Sequence, residues 1–181
     1  MGVAGRNVAL IWVMALALEL LPGASARAAP EHQDEYWPVC ASNDASRSIA
    51  ACSAIIRARG PNLALAFYDR GIAWRQTRRF DRALADLNRA LRSQPHFAAA
   101  FVERGIVHYE MRDYLRAIAD DGAAIRLKPD LAEAYNNRAL ARLKLAQFEL
   151  ATADFNRTIR LHQYYGNALI NRSLGPLAPL P

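Results

Sequence analysis

Three arginine–aspartate pairs are the most regular polar feature of this sequence. The members of each pair are sixteen positions apart, and the pairs recur every 34 positions: Arg70 with Asp86, Arg104 with Asp120, and Arg138 with Asp154. The planar guanidinium of arginine can hold a carboxylate with two hydrogen bonds. Charges near a packed face are usually paired within the protein, although gripping an anionic ligand is the alternative. We therefore predict structural ion pairs within or between adjacent units.

Residue types that catalyse reactions or bind metals form no recognisable constellation. The four histidines share no ligand spacing: His32, His96, His108 and His162. There is no glycine-rich phosphate loop, nucleophile elbow or metalloprotease helix motif. Asp120 and Asp121 resemble paired catalytic carboxylates, but Asp120 belongs to the repeated aspartates. We predict that the protein is not an enzyme and binds neither a cofactor nor a metal ion.

Composition places the chain among ordinary folded proteins. It has 181 residues, 52% of them hydrophobic and 22% charged, which excludes collagen-like, disulfide-dense and disordered classes. The 23 basic residues outnumber the 17 acidic ones, giving a net charge of +6. The arginines alternate with carboxylates and form no basic block, so we predict no nucleic-acid binding.

The first 28 residues have the pattern of a secretory signal peptide. Arg6 precedes an apolar run at residues 8–21, which Pro22-Gly23 ends, and small residues follow. This order predicts cleavage near Ala28 and a periplasmic or secreted protein. The run is shorter than the roughly 20 residues of a membrane span, and Glu19 interrupts it. The alternative is an uncleaved signal that anchors the protein in the inner membrane.

The two cysteines, Cys40 and Cys52, are twelve positions apart. Two cysteines cannot supply the four ligands of a structural zinc site, and an exported protein folds under oxidising conditions. These observations predict a disulfide, with two buried free thiols as the alternative.

Blocks of similar residues recur every 34 positions. Residues 67–71, 101–105 and 135–139 show the match, and the same spacing relates three further columns: Phe80/Tyr114/Phe148, Ala83/Ala117/Ala151 and Pro95/Pro129. Apolar and small residues three and four positions apart predict two helices per unit. The prolines mark the end of the second helix. A repeated two-helix unit is typical of a solenoid in which each repeat packs on its neighbours.

This pattern resembles the tetratricopeptide repeat family over residues 62–161. The resemblance implies an all-α fold: a right-handed superhelix of three helix-turn-helix repeats, at about 61–95, 96–129 and 130–163. The third unit departs at its end, where Gln163 replaces the expected proline. Residues 164–181 look like a capping helix followed by a proline-containing tail.

Residues 29–60 are expected to form an arm and a helix that precede the repeats. Residues 46–59 mimic a second helix of a unit, and Asn43 or Asp44 can cap its start. Residues 31–41 look extended. A disulfide would pin this arm across the N-terminal end of the stack.

The resemblance also implies a function, namely a protein-interaction module or scaffold that holds a peptide or protein in its concave groove. The predicted groove residues lie on the first helix of each unit: Tyr68, Ile72, Arg75, Val102, Ile106, Tyr109, Asn136, Leu140 and Leu143. Family members that clamp a ligand's carboxylate place lysines and asparagines in these columns, and that clamp is mostly missing here. The sequence does not identify the partner.

An apolar strip of Ile72, Ile106 and Leu140 is the predicted floor of this groove, and acidic residues flank it: Asp69, Glu103 and Glu110. This combination predicts a basic partner. One alternative is that residues 31–41 fill the strip, with Trp37 as a plug. Another is that the protein is a structural subunit of a cell-envelope assembly. Such a subunit would form homo- or hetero-oligomers through its edges, with Tyr164 and Tyr165 at the cap.

Overall fold

The computed structural model describes residues 33–161 and 171–172. Residues 33–161 contain eight α-helices and no strand: α1 (Gln33–Cys40), α2 (Ala45–Arg57), α3 (Leu63–Gln76), α4 (Phe80–Ser93), α5 (Ala98–Glu110), α6 (Tyr114–Leu127), α7 (Ala132–Lys144) and α8 (Phe148–Leu161). Each helix packs on the next in chain order. The all-α helical-hairpin architecture predicted from the repeat is therefore confirmed.

Three helical hairpins, α3–α4, α5–α6 and α7–α8, form the repeats. Their second helices are each 14 residues long and begin 34 positions apart, at Phe80, Tyr114 and Phe148. Small residues line the crossings within and between hairpins and are almost completely buried: Ala66, Ala83, Ala100, Ala117, Ala134, Ala139 and Ala151. Small side chains at these positions let the helix backbones approach closely.

Gly71 shows how tight these crossings are. A Cβ atom added there would lie 2.9 Å from Cγ of Leu87 on α4. Glycine costs about 1 kcal/mol relative to alanine inside a helix, so the close packing of α3 on α4 offsets that cost. Gly105 has the same position in the second hairpin, where its neighbour is Asp121 instead of a leucine.

The chain before the repeats differs from the sequence-based expectation. Residues 31–41 were expected to be extended, but Gln33–Cys40 is a helix that contains Pro38. Trp37 and Val39 pack against a buried cluster that α1, α2 and α3 share, formed by Cys40, Ala51, Cys52, Ile55 and Ala66. This packing offsets the backbone hydrogen bond that Pro38 cannot make. The preceding element is therefore a hairpin, α1–α2, instead of a single helix.

The α2 helix itself follows the prediction. It begins after Asp44, whose carboxylate accepts a hydrogen bond from the backbone N–H of Arg47 at 3.1 Å. Cys40 and Cys52 form a disulfide that joins α1 to α2. The bridge and the Asp44 cap together fix the hairpin at the N-terminal end of the stack.

Several sequence-based expectations lie outside the described residues. These are the signal peptide at 1–28, most of the capping segment at 164–181, and Tyr164 and Tyr165. Asn171 and Arg172 are helical. Among the residues that the structure describes, no helix is long and apolar enough to cross a membrane.

Candidate binding groove

Each repeated arginine holds the aspartate sixteen positions later with two hydrogen bonds. The Nε and Nη2 atoms donate to aspartate oxygens at 2.7 and 2.9 Å between Arg70 and Asp86, at 2.9 and 2.6 Å between Arg104 and Asp120, and at 2.8 and 2.7 Å between Arg138 and Asp154. The aspartates are buried, with exposed fractions of 2, 6 and 4%. Bidentate pairing satisfies the buried charges within each hairpin.

Asp154 departs from the one-to-one pairing that the sequence predicts. Besides the two bonds from Arg138, its Oδ2 accepts a third from Nη1 of Arg142, one turn further along α7, at 2.5 Å. The side chain of Arg142 is 16% exposed, and burial lowers the pKa of its guanidinium although Asp154 opposes that shift. The positions equivalent to Arg142 in the first two repeats hold Trp74 and His108, so the repeat pattern does not predict a second arginine here. The predicted pair is corrected to a triad of one carboxylate and two guanidinium groups.

The third guanidinium nitrogen of the repeated arginines bonds the preceding hairpin. Nη1 of Arg70 donates to Ser53 at 2.8 Å, and Nη1 of Arg104 donates to Asn88 at 2.6 Å. The position equivalent to Asn88 opposite Arg138 is Gly122, which has no side chain. In the first two repeats the arginines therefore link neighbouring units as well as the two helices of one unit.

Arg172 follows the same rule at the C-terminal end. Its Nη1 donates to Asn156 on α8 at 3.1 Å, sixteen positions earlier, as Arg104 does to Asn88. Arg172 lies 34 positions after Arg138, so it continues the repeated column. This contact places residues 171–172 against α8 as the first helix of a further unit would be placed.

Aromatic rings complete the environment of the repeated arginines. Each guanidinium lies over the ring three positions earlier on its own helix, with centroid distances of 5.8 Å for Arg70 over Phe67, 5.3 Å for Arg104 over Phe101, and 5.4 Å for Arg138 over Tyr135. Arg104 therefore has every donor nitrogen engaged and one face covered by a ring. Because its donors are already used, Arg104 has the geometry of a structural residue and not of one that binds an anionic ligand.

The inner helices α3, α5 and α7 carry the predicted apolar strip. Ile72, Ile106 and Leu140 are each partly exposed. Ile106 also packs on the cluster of Val102, Ala124 and Ala134, while Leu140 and Leu143 pack on that of Ala139, Ala151 and Phe155. Ile106 and Leu140 therefore each pack on the core with one side of the side chain and leave the other side exposed to solvent.

Two of the nine predicted groove residues are corrected by their burial. Val102 is 3% exposed and belongs to the core between α5, α6 and α7. Asn136 is 7% exposed, and its Oδ1 accepts a hydrogen bond from Nδ2 of Asn171 at 3.3 Å. In both residues the side chain faces the unit that follows along the chain instead of solvent. Neither residue offers a surface for a partner.

Arg75 lies between two of the acidic residues predicted to flank the strip. Its Nε donates to Glu103 at 3.1 Å and its Nη1 to Glu110 at 3.1 Å, so it joins α3 to α5 across the groove. The flank is therefore less acidic than the sequence suggests. Asp69 forms no ion pair among the described residues, and burial raises the pKa of its carboxyl to about 6.

The groove tyrosines differ in their surroundings. Tyr68 packs against Phe97 with ring centroids 4.8 Å apart. Burial is the main cause that raises the pKa of its hydroxyl, and the negative charge of Glu103 is the second. Tyr68 lines a cavity of about 90 Å³ between α3, α5 and the start of α7. Tyr109 meets Tyr114 edge-on at 5.4 Å.

The N-terminal hairpin does not fill the strip. Residues 40–43 border a cavity of about 120 Å³ that Ile72 and Asp69 also line, so the hairpin reaches the first strip residue. Trp37 lies in the buried cluster with Cys52 and Ala66 rather than beside Ile106 or Leu140. The alternative in which Trp37 plugs the groove is therefore wrong for the described residues.

Asp121 is a polar residue whose burial sequence reasoning missed. It is 1% exposed, its Oδ1 has no hydrogen-bond partner, and it lies where the other repeats carry Leu87 and Phe155. Burial, and secondarily Asp120, raises the pKa of its carboxyl to about 9. The signal was available, because Asp121 is 34 positions from both apolar residues. The described residues contain no group of three potential metal ligands.

A run of arginines at residues 75–82 was also missed. Four arginines occur in these eight positions against a single acid, Asp81, so the expectation that the chain has no basic block is wrong here. Arg78, Arg79 and Arg82 form no ion pair within the described part of the chain. They lie at the turn between α3 and α4, away from the strip.

Comparisons with known structures identify the architecture. The second domain of human RPAP3, in complex with an HSP70 peptide, matches with a TM-score of 0.59 and 23% identity over 61% of this chain and 92% of that one. MamA from Desulfovibrio magneticus matches with a TM-score of 0.70 and 18% identity over 80% of this chain and 83% of that one. The chain has the tetratricopeptide repeat fold.

The first tetratricopeptide repeat domain of Spaghetti (RPAP3), bound to the HSP90 peptide SRMEEVD, also matches, with a TM-score of 0.60 and 21% identity over 61% of this chain and 88% of that one. No family model matches the sequence. No curated protein matches it either. At these identities the tetratricopeptide repeat likeness establishes the fold, while the ligand has to be argued from the groove.

Proposed function

We propose that this protein is an exported, non-enzymatic interaction module that holds a peptide or a segment of a partner protein against α3, α5 and α7. The observation that carries the proposal is the strip of Ile72, Ile106 and Leu140, which is repeated once per unit and partly exposed in each. Contiguous apolar surface on a folded domain marks an interaction site. Three equivalent side chains on parallel helices suit a ligand that runs across the repeats.

Two of the similar structures support a peptide as the class of ligand. They are RPAP3 domains with peptides that end in the acidic sequence EEVD. The groove here has different chemistry, since Asp69, Glu103 and Glu110 outnumber Arg75. We expect it to select a segment with apolar side chains and at least one basic residue, and to reject an acidic one.

Export is part of the proposal. The Cys40–Cys52 disulfide supports it, since such bonds persist outside the reducing cytoplasm. The segment at residues 1–28 supplies the pattern of the signal. An edge-assembled envelope subunit remains a prediction that depends on Tyr164 and Tyr165, outside the described residues.

The function is tested by Ile106→Glu in the full chain, with Leu127→Glu as the matched control. Leu127 is also an exposed apolar residue, but it is the last residue of α6 and does not lie on α3, α5 or α7. We expect Ile106→Glu to fold, as judged by circular dichroism, and to lose capture of the partner from envelope extracts. Equal capture by both variants would reject the groove.

A further inference from the structure

The turns within the three repeats lie at one edge of the stack, because the hairpins follow one another in the same direction. We call this the turn edge and define it as residues 77–82, 111–116 and 145–150. Six large hydrophobic side chains are exposed among the described residues, and four of them lie here: Met111 at 43%, Leu115 at 68%, Phe148 at 38% and Leu150 at 50%. Such clustering of apolar side chains marks a contact surface.

Unpaired arginines adjoin these apolar side chains. Arg78, Arg79 and Arg82 line an open cavity of about 410 Å³ whose other walls are Phe80, Asp81 and Met111. None of the three arginines forms an ion pair with another described residue. The guanidinium of Arg78 lies 5.3 Å from the ring centroid of Phe80, and that of Arg82 lies 4.8 Å from Trp74. The aromatic rings hold the two charges at the surface without neutralising them.

The three turns share one backbone conformation. Arg78, Arg112 and Ala146 have φ values of 58°, 64° and 56°, the left-handed conformation in which helices commonly end. This conformation fixes the direction in which each chain leaves its first helix, and in two of the three turns the residue that adopts it is an arginine.

We propose that the turn edge binds the surface of an anionic phospholipid bilayer. Leu115, Met111 and Phe148 enter the boundary between headgroups and acyl chains, while the arginines bind lipid phosphates. The edge carries five arginines against Asp81, Asp113 and Glu149, and Asp113 is already paired with Arg116 at 3.2 Å. Apolar side chains flanked by basic ones are the combination that binds peripheral proteins to anionic membranes.

A bilayer fits this edge better than a peptide does. The exposed apolar residues lie in two successive turns and in the first turns of α6 and α8, which places them at one edge of the stack. A peptide needs a continuous groove, and the strip on α3, α5 and α7 already supplies one. The proposed membrane surface is therefore separate from the proposed partner groove.

Vesicle binding tests the charge requirement. The full chain is mixed with phosphatidylcholine vesicles that contain or lack phosphatidylglycerol. We expect Arg78→Gln/Arg79→Gln/Arg82→Gln to weaken binding to the anionic vesicles roughly tenfold or more, since each basic residue near the surface contributes about 1 kcal/mol. The matched control is Arg92→Gln/Arg126→Gln/Lys128→Gln. It removes the same charge from exposed residues at the opposite edge and should change binding less than about threefold. The run at residues 8–21 is identical in both variants.

Brominated acyl chains test the orientation. Leu115→Trp and Leu127→Trp each add one tryptophan, at the two ends of α6. After the signal of the parent chain is subtracted, we expect brominated anionic vesicles to quench the tryptophan at position 115 and not the one at 127.

Three outcomes would overturn the proposal. The first is an equal loss of binding in the two triple variants, which would mean that only net charge matters. The second is quenching at position 127 or at neither position. The third is competition by soluble poly-L-glutamate that displaces the protein from vesicles while Leu115→Ser has no effect, which would assign the edge to an acidic protein segment.

Discussion

Arg104 and Asp120 form a two-point ion pair between α5 and α6, with donor–acceptor distances of 2.9 and 2.6 Å. The same arginine donates its remaining amino group to Asn88 of the preceding repeat at 2.6 Å. One residue thus closes its hairpin and joins it to its neighbour. In the first two repeats the repeated arginines therefore join the two helices of one hairpin and also join that hairpin to the preceding one.

Removing this arginine should destabilise the whole array. Arg104→Ala leaves the carboxylate of Asp120 buried without its partner, and we expect the free energy of unfolding to fall by about 3 kcal/mol. Arg89→Ala is the control, since Arg89 also contacts an aspartate of this column, Asp86, at 3.3 Å, but is half exposed. It should cost less than about 1 kcal/mol. Urea denaturation measures the free energy of unfolding of both variants. Similar losses in the two would contradict a special contribution of the two-point ion pair to stability.

The disulfide should stabilise the N-terminal hairpin. Replacing Cys40 and Cys52 by serine removes a bridge that spans twelve positions, which the chain-entropy model values at about 2–3 kcal/mol. We expect a lower melting temperature and faster proteolysis in α1, while the circular dichroism of the repeats is retained. Thiol titration of unfolded, unreduced protein should find no free thiol. Two free thiols in exported protein would contradict the bridge.

Asp121 makes stability depend on pH. The folded state raises the pKa of its carboxyl to about 9 and so binds a proton that the unfolded chain releases near pH 4. Its contribution to stability is therefore present at low pH and is lost as the pH rises through about 9. Burial lowers the pKa of His108, so the folded state favours its neutral form. Its contribution to stability is therefore lost only as the pH falls below about 6.5, which is the opposite direction to that of Asp121. Between about pH 7 and 9 the effect of Asp121 dominates.

Asp121→Leu tests this assignment. Leucine reproduces the arrangement of Gly71 and Leu87 in the first repeat, so we expect a gain of about 2 kcal/mol at neutral pH. The decline in melting temperature from pH 7 to 9 should also become shallower. Asp130→Leu, at an exposed carboxyl, should leave the decline unchanged. A parallel decline in Asp121→Leu and the parent chain would mean that another group titrates.

The repeat made most of the fold predictable from sequence. A period of 34 fixes where equivalent residues recur, and the helices that start at Phe80, Tyr114 and Phe148 follow it. The helix at Gln33–Cys40 was missed because Pro38 suggests an extended segment, whereas packing on α2 stabilises a helix there. Tertiary contacts of this kind leave little trace in local sequence.

The repeated ion pairs were predictable only in part. The spacing of sixteen correctly joins Arg138 to Asp154, but it does not show that Asp154 also accepts a hydrogen bond from Arg142. A repeat reveals the contacts that every unit shares. Arg142 occurs in one unit alone, so its contact with Asp154 became visible only in the structure.

The groove was less predictable than the fold. A helix face seen in sequence does not show which residues the next helix covers, and Val102 and Asn136 are covered. Nor does sequence show that the carboxylates of Glu103 and Glu110 meet Arg75, because the partners are 28 and 35 positions apart. The burial of individual groove residues and the contacts between distant side chains therefore needed the structure, while the positions of the repeated helices did not.

Site-specific photo-crosslinking tests the proposed groove most directly. A benzophenone side chain replaces Ile106 or Leu140 on the inner helices, or exposed Ala153 on α8 as the control, in the full chain expressed in its host. We predict the same discrete adduct from positions 106 and 140, none from 153, and its loss when Leu140→Glu is combined with the probe at 106. Adducts of equal yield from 153, or none from either inner position, would contradict a partner held on α3, α5 and α7.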